Sequence, residues 1–283
     1  MVPDKDRVEE FYLDDMYDNP NMTIRKTLGG TQFREPILIE NVPKIIPFWK
    51  KPVIIASPSF GEKKQAIREF ATLTFSEALN RSYNLYLSTQ NSILKQFDAD
   101  FKEIFDEVYI AKFKSKFEKT GITYEHKAID DMVSFTLRSP GGYIWACKSY
   151  DGEVQSKYLA QGFGSLGLMT SIIETVGGCT LCETVHGTVS KHFKQYQSLK
   201  ETSTNSIASI FAWTKGLYAR AKIDQNEDLM DFADTLEKVT IETVMSQYMT
   251  NDLATLVNDQ HHNEAFAELD DRIEPMSTQD FIN

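Results

Sequence analysis

Cys179 and Cys182 stand in a C-x-x-C arrangement, and Cys147 and His186 would complete four ligands of the kind zinc takes. A structural zinc site ordinarily pairs two such knuckles, whereas this chain has one, so buried free thiols are the simpler expectation. Residues 162–167 read G-x-G-x-x-G, the phosphate-cradling loop of dinucleotide folds. That loop works only after an apolar strand that delivers pyrophosphate to a helix N-terminus, and Tyr158-Leu159-Ala160-Gln161 makes a poor strand. Close packing, or capping at a helix start, is the expectation instead. Asp130-Asp131 follow Ile129 at the start of a helical segment, where carboxylates favour the helix dipole as readily as they would hold a divalent cation. Asp14-Asp15, Asp270-Asp271 and His261-His262 read as solvated side chains.

The scaffold for these groups shows in the spacing of apolar residues. Three- and four-residue steps predict helices over 66–80 (Ile67, Phe70, Ala71, Phe75, Ala78, Leu79) and over 101–117 (Phe101, Ile104, Phe105, Val108, Phe113, Phe117). A third helix runs from a Ser203 cap through Ile207, Phe211, Leu217 and Ala221, and a fourth carries Leu229, Phe232, Ala233, Leu236 and Val244. Short apolar runs predict strands at 53–56, 85–87, 122–124, 143–147 and 180–185, the last after a Gly177-Gly178 turn. Strands alternating with helices predict an α/β architecture. No internal repeat is visible, and the residues after Asn258 read as a loosely specified, partly disordered tail.

Composition narrows the function classes. The 283 residues carry 30 Lys and Arg against 41 Asp and Glu, a net charge of −11, which argues against a nucleic-acid partner. A hydrophobic share of 41% with 25% charged residues is that of a folded chain forming one large or two modest domains. No run approaches eighteen apolar residues, so no membrane span is expected. Residues 1–18 are rich in acids and lack the pattern of a signal or transit peptide. Three cysteines make no disulfide framework. The expectation is a reduced, soluble, cytoplasmic chain.

Longer strings say more. Tyr124-Glu125-His126 leading into Ile129-Asp130-Asp131-Met132-Val133, Trp145-Ala146-Cys147-Lys148, Tyr150-Asp151-Gly152, Ala160-Gln161-Gly162 and the run from Gly164 to Ser171 form one pattern. His186-Gly187-Thr188-Val189, the run from Glu201 to Trp213, Arg7-Val8-Glu9-Glu10-Phe11 and Gly29-Gly30-Thr31 with Phe33-Arg34-Glu35 belong to it too. Over nearly its whole length the chain resembles the eukaryotic NADP-dependent isocitrate dehydrogenases.

The resemblance implies an isocitrate/isopropylmalate dehydrogenase-like α/β fold, a homodimer with a large domain, a small domain and a clasp. It implies a reaction in which hydride passes from isocitrate to NADP and the keto acid is decarboxylated on Mg²⁺ or Mn²⁺. On that pattern residues 1–28 are part of the large domain, 29–210 hold the small-domain elements and central strands, and 211–283 the C-terminal helices of the large domain and the tail. The family's opening strands before Pro3 have no counterpart, and Val2 falls on a cofactor-binding threonine. The clasp is cut out between Lys64 and Gln65.

Carried over position by position, the cofactor contacts are Arg7, Gly187, Thr188, Val189, His192, Asn205 and Asp252, with Lys191 for an arginine and Arg138 for a lysine. Substrate contacts fall on Asn21, Arg25 and Arg34, with Ser92 for a threonine, Asn19 for a serine and Ser57 for an arginine. The proton-transferring lysine falls on Gln90, and the catalytic tyrosine falls near Lys64, where no tyrosine stands. Of three metal aspartates Asp130 remains, while the others are Glu153 and Lys157. A lysine charge ~4 Å from a divalent cation repels it by about 8 kcal/mol at an effective dielectric near 20.

The expectation is therefore a catalytically inactive member, with no cofactor required, NADP binding compatible with the retained residues and the Mg²⁺ or Mn²⁺ site lost. Its role would be that of a structural or partner subunit, with a protein partner over the truncated sheet and a cytoskeletal or ciliary assembly as one setting. The alternatives are a regulatory subunit paired, as homo- or heterodimer, with an active NADP-dependent isocitrate dehydrogenase, or an active isocitrate dehydrogenase.

Overall fold

The structure, a computed structural model, describes residues 5–16, 19–61, 63–90, 95–263 and 272–283, with the side chains at 5–7, 95–97 and 260–263 outside the description. Two helices open the chain, α1 (Lys5–Glu10) and α2 (Pro20–Leu28). Then come β1 (Thr31–Pro36), β2 (Val53–Pro58), α3 (Lys64–Arg81), β3 (Asn84–Thr89) and α4 (Lys95–Val108). A π-helical turn (Tyr109–Phe113) leads to α5 (Lys114–Thr120), β4 (Tyr124–Ala128), α6 (Ile129–Arg138), β5 (Tyr143–Ala146) and α7 (Ser149–Gly162). After a 3₁₀ turn follow β6 (Met169–Glu174), β7 (Thr180–Thr184), α8 (Ser190–Gln197), α9 (Ile207–Asp224), α10 (Glu227–Met245), α11 (Asn251–Asn263) and α12 (Thr278–Ile282).

The seven described strands form one sheet in the order β4-β3-β5-β2-β1-β6-β7. β4, β3, β5 and β2 run parallel, with a helical crossover between successive strands in the chain. β1 is antiparallel to both β2 and β6, and β6 to β7. Helical crossovers place the C-terminal ends of parallel strands on one edge, where α/β sheets bind ligands. β1 adds polar residues beside that edge: Gln32 is the register partner of Ser57, and Arg34 that of Ile55.

Strand alternation divides the core. Ile54 and Ala56 of β2 face a cluster that includes Phe70, Phe75, Phe105 and Phe117, while Val53 and Ile55 face Trp49, Met132, Trp145 and Leu159 under α6 and α7. Phe75 is the hub of the first cluster, with the rings of Phe105, Tyr109, Phe113, Phe117 and Tyr124 at centroid distances of 5.0–5.7 Å. Each fully buried Phe contributes about 1.5–3 kcal/mol, so this cluster anchors the parallel half of the sheet. Val108 and Phe113 are five residues apart, and the π turn between them keeps both on the buried face while Ile110 is left 68% exposed. A third cluster joins Ile37 and Leu168 to Phe211, Val244, Leu253, Ile273 and Phe281.

The four predicted helices and the strands at 53–56, 85–87, 143–147 and 180–185 are present, within a few residues of the expected ends. β1 and β6 were not expected. The strand expected at 122–124 begins at Tyr124, because Gly121 ends α5 in the left-handed region and the Ile122 amide still bonds to Phe117 O at 3.2 Å. Ser203 does not cap α9: its Oγ donates to Met276 O at 2.5 Å, and Asn205 Oδ1 receives the Ile207 amide instead. The tail is not loose throughout, since Ile273 and Phe281 are buried in the third core cluster. Among the described residues no helix is long and apolar enough to cross a membrane.

Candidate functional site

Helix α7 packs directly on β2 because residue 152 is glycine: a Cβ there would stand 2.7 Å from the Ser57 Cβ. The next residue, Glu153, reaches β1, where its Oε1 accepts from Arg34 Nη2 and, at 3.4 Å, from Arg25 Nη1. Arg25 comes from the last turn of α2, which Gly29-Gly30 turns into β1; at Gly30 (φ +87°) a Cβ would meet Glu174 O at 2.3 Å. Arg25 Nη2 donates to Glu183 Oε1 of β7. Gln32 Nε2 donates to the same oxygen at 2.8 Å and lies 2.7 Å from Ser171 Oγ.

Arg34 is 2% exposed. Burial pulls its guanidinium below its ordinary value, and the Glu153 carboxylate opposes that pull. Arg34 Nε and Nη1 and Arg25 Nε are buried without a hydrogen-bond acceptor. Lys157 Nζ, one turn further along α7, lies 4.0 Å from Glu153 Oε2.

A second knot closes the ends of β3 and β5. Asp98 of α4, 1% exposed, accepts from the Gln90 amide at 2.6 Å and from Lys148 Nζ at 2.8 Å. Gln90 Oε1 is buried without a donor. Beside it Thr89 Oγ1 and His126 Nε2 are 2.8 Å apart. Burial holds His126 below the ordinary imidazole value, Lys102 adds to this, and Asp106 and Asp98 oppose it. Lys64 is exposed at the start of α3, 3.1 Å from Asp100. Asp130 is exposed at the start of α6, and β3 lies between its strand β4 and the strand β5 that leads to Glu153.

On the other side of the sheet order, the loop after β7 runs through His186-Gly187-Thr188-Val189 into the N-terminus of α8, with residues 187–189 exposed. His186 Nε2 is buried without a partner. His192 Nδ1 lies 2.6 Å from Thr204 Oγ1, and beside them a cavity of about 910 Å³ opens, lined also by Phe193, Tyr196 and Ile282. Asn205 is packed on Gly167, accepts from the Ile207 amide at the start of α9 at 3.0 Å and donates to Asp252 Oδ2 at 2.9 Å. Asp252 also receives Ser165 Oγ at 2.6 Å and Thr250 Oγ1 at 2.7 Å. Lys191 and Arg138 are exposed.

Residues 22–269 match the family model of isocitrate/isopropylmalate dehydrogenases. The chain belongs to that family. It is 47% identical to isocitrate dehydrogenase [NADP] 1 of Mycobacterium tuberculosis over 305 residues, covering 91% of this chain and 75% of the relative. The cytosolic isocitrate dehydrogenase [NADP] of Arabidopsis thaliana is 46% identical over 304 residues, covering 91% and 74%. The chloroplastic/mitochondrial enzyme of the same plant is 47% identical, with 63% of its length covered. In the mycobacterial match 91% of 283 residues is about 258, so about 47 of its 305 positions have no residue of this chain opposite them.

In this member of the isocitrate/isopropylmalate dehydrogenase family the expected substrate residues Arg25 and Arg34 come together, and Glu153 and Lys157 lie with them. Asn21 is exposed on α2, and Asn19 is its N-cap. Ser92 and the side chain of Arg7 lie outside the described residues. Asn205 and Asp252 come together, as do His192 and Thr204.

The glycines of 162–167 do pack closely, Gly162 on Trp49 and Gly167 on Asn205, yet Gly162 ends a helix rather than starting one. The expectation of buried thiols holds for Cys147 alone: Cys179 is exposed and Cys182 half-buried, its thiol pushed up to about 11 by burial. Gln32, Ser171, Glu183 and Asp98 were missed by sequence reasoning. Their one available signal is a polar side chain inside a strand or on an apolar helix face.

Proposed function

We propose that this chain keeps the fold of the NADP-dependent isocitrate dehydrogenases without their reaction, and serves as a structural or partner subunit of a larger assembly. The observation that carries this reading is the surroundings of Glu153. A Mg²⁺ or Mn²⁺ ion needs several oxygen donors. Here one carboxylate is engaged by Arg25 and Arg34 and flanked by Lys157, a donor set that does not fit a divalent cation. Among the described residues no three His, Cys, Asp or Glu side chains form a group that could hold a metal. Gln90 stands where the resemblance puts a proton-transferring lysine, and a general acid–base group contributes about 10²–10⁴ in rate.

A partner is supported by apolar surface. Tyr150, Val154 and Tyr158 recur at i, i+4 and i+8 on α7 and are 79%, 46% and 36% exposed, and Trp213 of α9 is 74% exposed. NADP binding is the part of the family's chemistry that this reading retains, since the 186–189 loop opens onto a helix N-terminus suited to phosphate. The cytoplasm, as in the cytosolic plant relative, is the compartment it assigns.

The test is isocitrate-dependent NADP reduction by the purified chain with Mg²⁺ or Mn²⁺. No NADPH above a control without isocitrate is expected; steady NADPH formation would establish an active isocitrate dehydrogenase instead. A second reading, a regulatory subunit of an active relative, is favoured by the exposure of Asp130 and Arg138 on α6, on the far side of β3 from Glu153. The mass and composition of the native particle separate the two: a full-length isocitrate dehydrogenase in it supports regulation, and other partners support scaffolding.

A further inference from the structure

We propose that Glu153 is a built-in ligand of the Arg25–Arg34 pocket: the chain's own carboxylate occupies the guanidiniums, so a free polycarboxylate enters only when Glu153 is displaced, and binds then without a divalent cation. This rests on the reading of the pocket as a family site from which the reaction has been lost. It goes further by giving the acid at a family metal position a different task, that of counter-ion.

The charges support it. Among the described residues Arg25 and Arg34 are balanced by Glu153 and Glu183, and Lys157 lies beside Glu153 as a further cation. A trianion entering this set meets a pocket already neutralised, and its carboxylates compete with one that is tethered and therefore present at high effective concentration. The donors support it too. Arg34 is almost wholly buried, and three guanidinium nitrogens (Arg34 Nε and Nη1, Arg25 Nε) lack acceptors even with both glutamates in place. The pocket therefore holds more donors than Glu153 satisfies, as one shaped for a larger acceptor would. Glu153 is also the movable partner, 38% exposed against 2% for Arg34, and Lys157 stands ready to take its displaced carboxylate.

The experiment is calorimetric titration of isocitrate into the purified chain, once in EDTA and once in Mg²⁺. Wild type is expected to bind weakly and equally in both. Glu153→Gln is expected to bind isocitrate at least tenfold tighter in EDTA, and Arg34→Met in the same background to lose the gain. Glu153→Ser replaces the amide variant if that does not fold. Three results would overturn the proposal: wild type binding tenfold tighter with Mg²⁺, no gain from either Glu153 variant, or an equal gain from Glu183→Gln, which would show a general charge effect. Catalytic turnover by wild type would refute the proposed loss of reaction, yet leave this binding comparison readable on its own.

Discussion

The Arg25–Glu153 network and the Asn205–Asp252 cluster are both built from residues that the family pattern marks as ligand contacts, and they use them in opposite ways. In the first, side chains from α2, β1, β7 and α7 pair with one another and still leave three buried guanidinium nitrogens without acceptors. In the second, every polar group named is spent on the fold: Asn205 accepts from the first amide of α9, and Asp252 receives Ser165, Thr250 and Asn205. A residue that keeps its family identity can thus do so because helix ends need it, whereas one that changes identity, as at 153, can reassign a whole pocket. Matching letters alone do not separate these cases; hydrogen-bond partners do.

The contrast can be broken most directly at Asp252. Asp252→Ala should cost about 3 kcal/mol in urea denaturation without any ligand, because it strips three hydrogen bonds from a charged acceptor. Asp130→Ala, at an exposed position, should stay within about 0.5 kcal/mol. A near-neutral Asp252→Ala that abolished NADP binding would instead make that residue a cofactor contact first.

NADP itself gives the next largest effect. At a hundred times its dissociation constant it should stabilise the chain by about 2.7 kcal/mol, read as a rise in Tm that survives Arg34→Met. An unchanged Tm would place the cofactor side with the lost functions.

The smallest effect is a pH dependence. Burial favours neutral His126 in the folded chain, so its contribution is fully present above its ordinary value of 6.5 and is lost as pH falls below it. The slope is at most about 1.4 kcal/mol per pH unit. His126→Gln should flatten the urea midpoint between pH 7 and pH 5; an unaltered slope would assign the acid sensitivity elsewhere.

Much of the scaffold was legible because its apolar residues keep period. Ile67, Phe70, Phe75 and Ala78 mark α3, and Tyr143 to Ala146 mark β5. β1 was illegible for the same reason that it matters: Thr31-Gln32-Phe33-Arg34-Glu35-Pro36 has the composition of a loop. It lies between two strands, with Gln32 and Arg34 buried, because their partners Ser171, Glu183 and Glu153 arrive from distant parts of the chain. The site was legible only through family strings, which located Arg25, Arg34 and Glu153 but could not show that they bond to one another. Asp98 gave only the weak signal of an acid on an apolar helix face, which looks solvated until Lys148 and the Gln90 backbone amide are seen against it.

The π turn at Tyr109–Phe113 has a consequence for how this helical stretch can change length. Phe101, Ile104, Phe105 and Val108 would be continued by residues 112 and 116 in an unbroken α-helix; Phe113 and Phe117 hold those places instead, one residue late. The turn thus works as a slack loop in a rope. Removing the exposed Ile110 from it would tighten the stretch into a plain helix and leave Tyr109, Phe113 and Phe117 against Phe75, so the loss of that one codon would go unnoticed by the core.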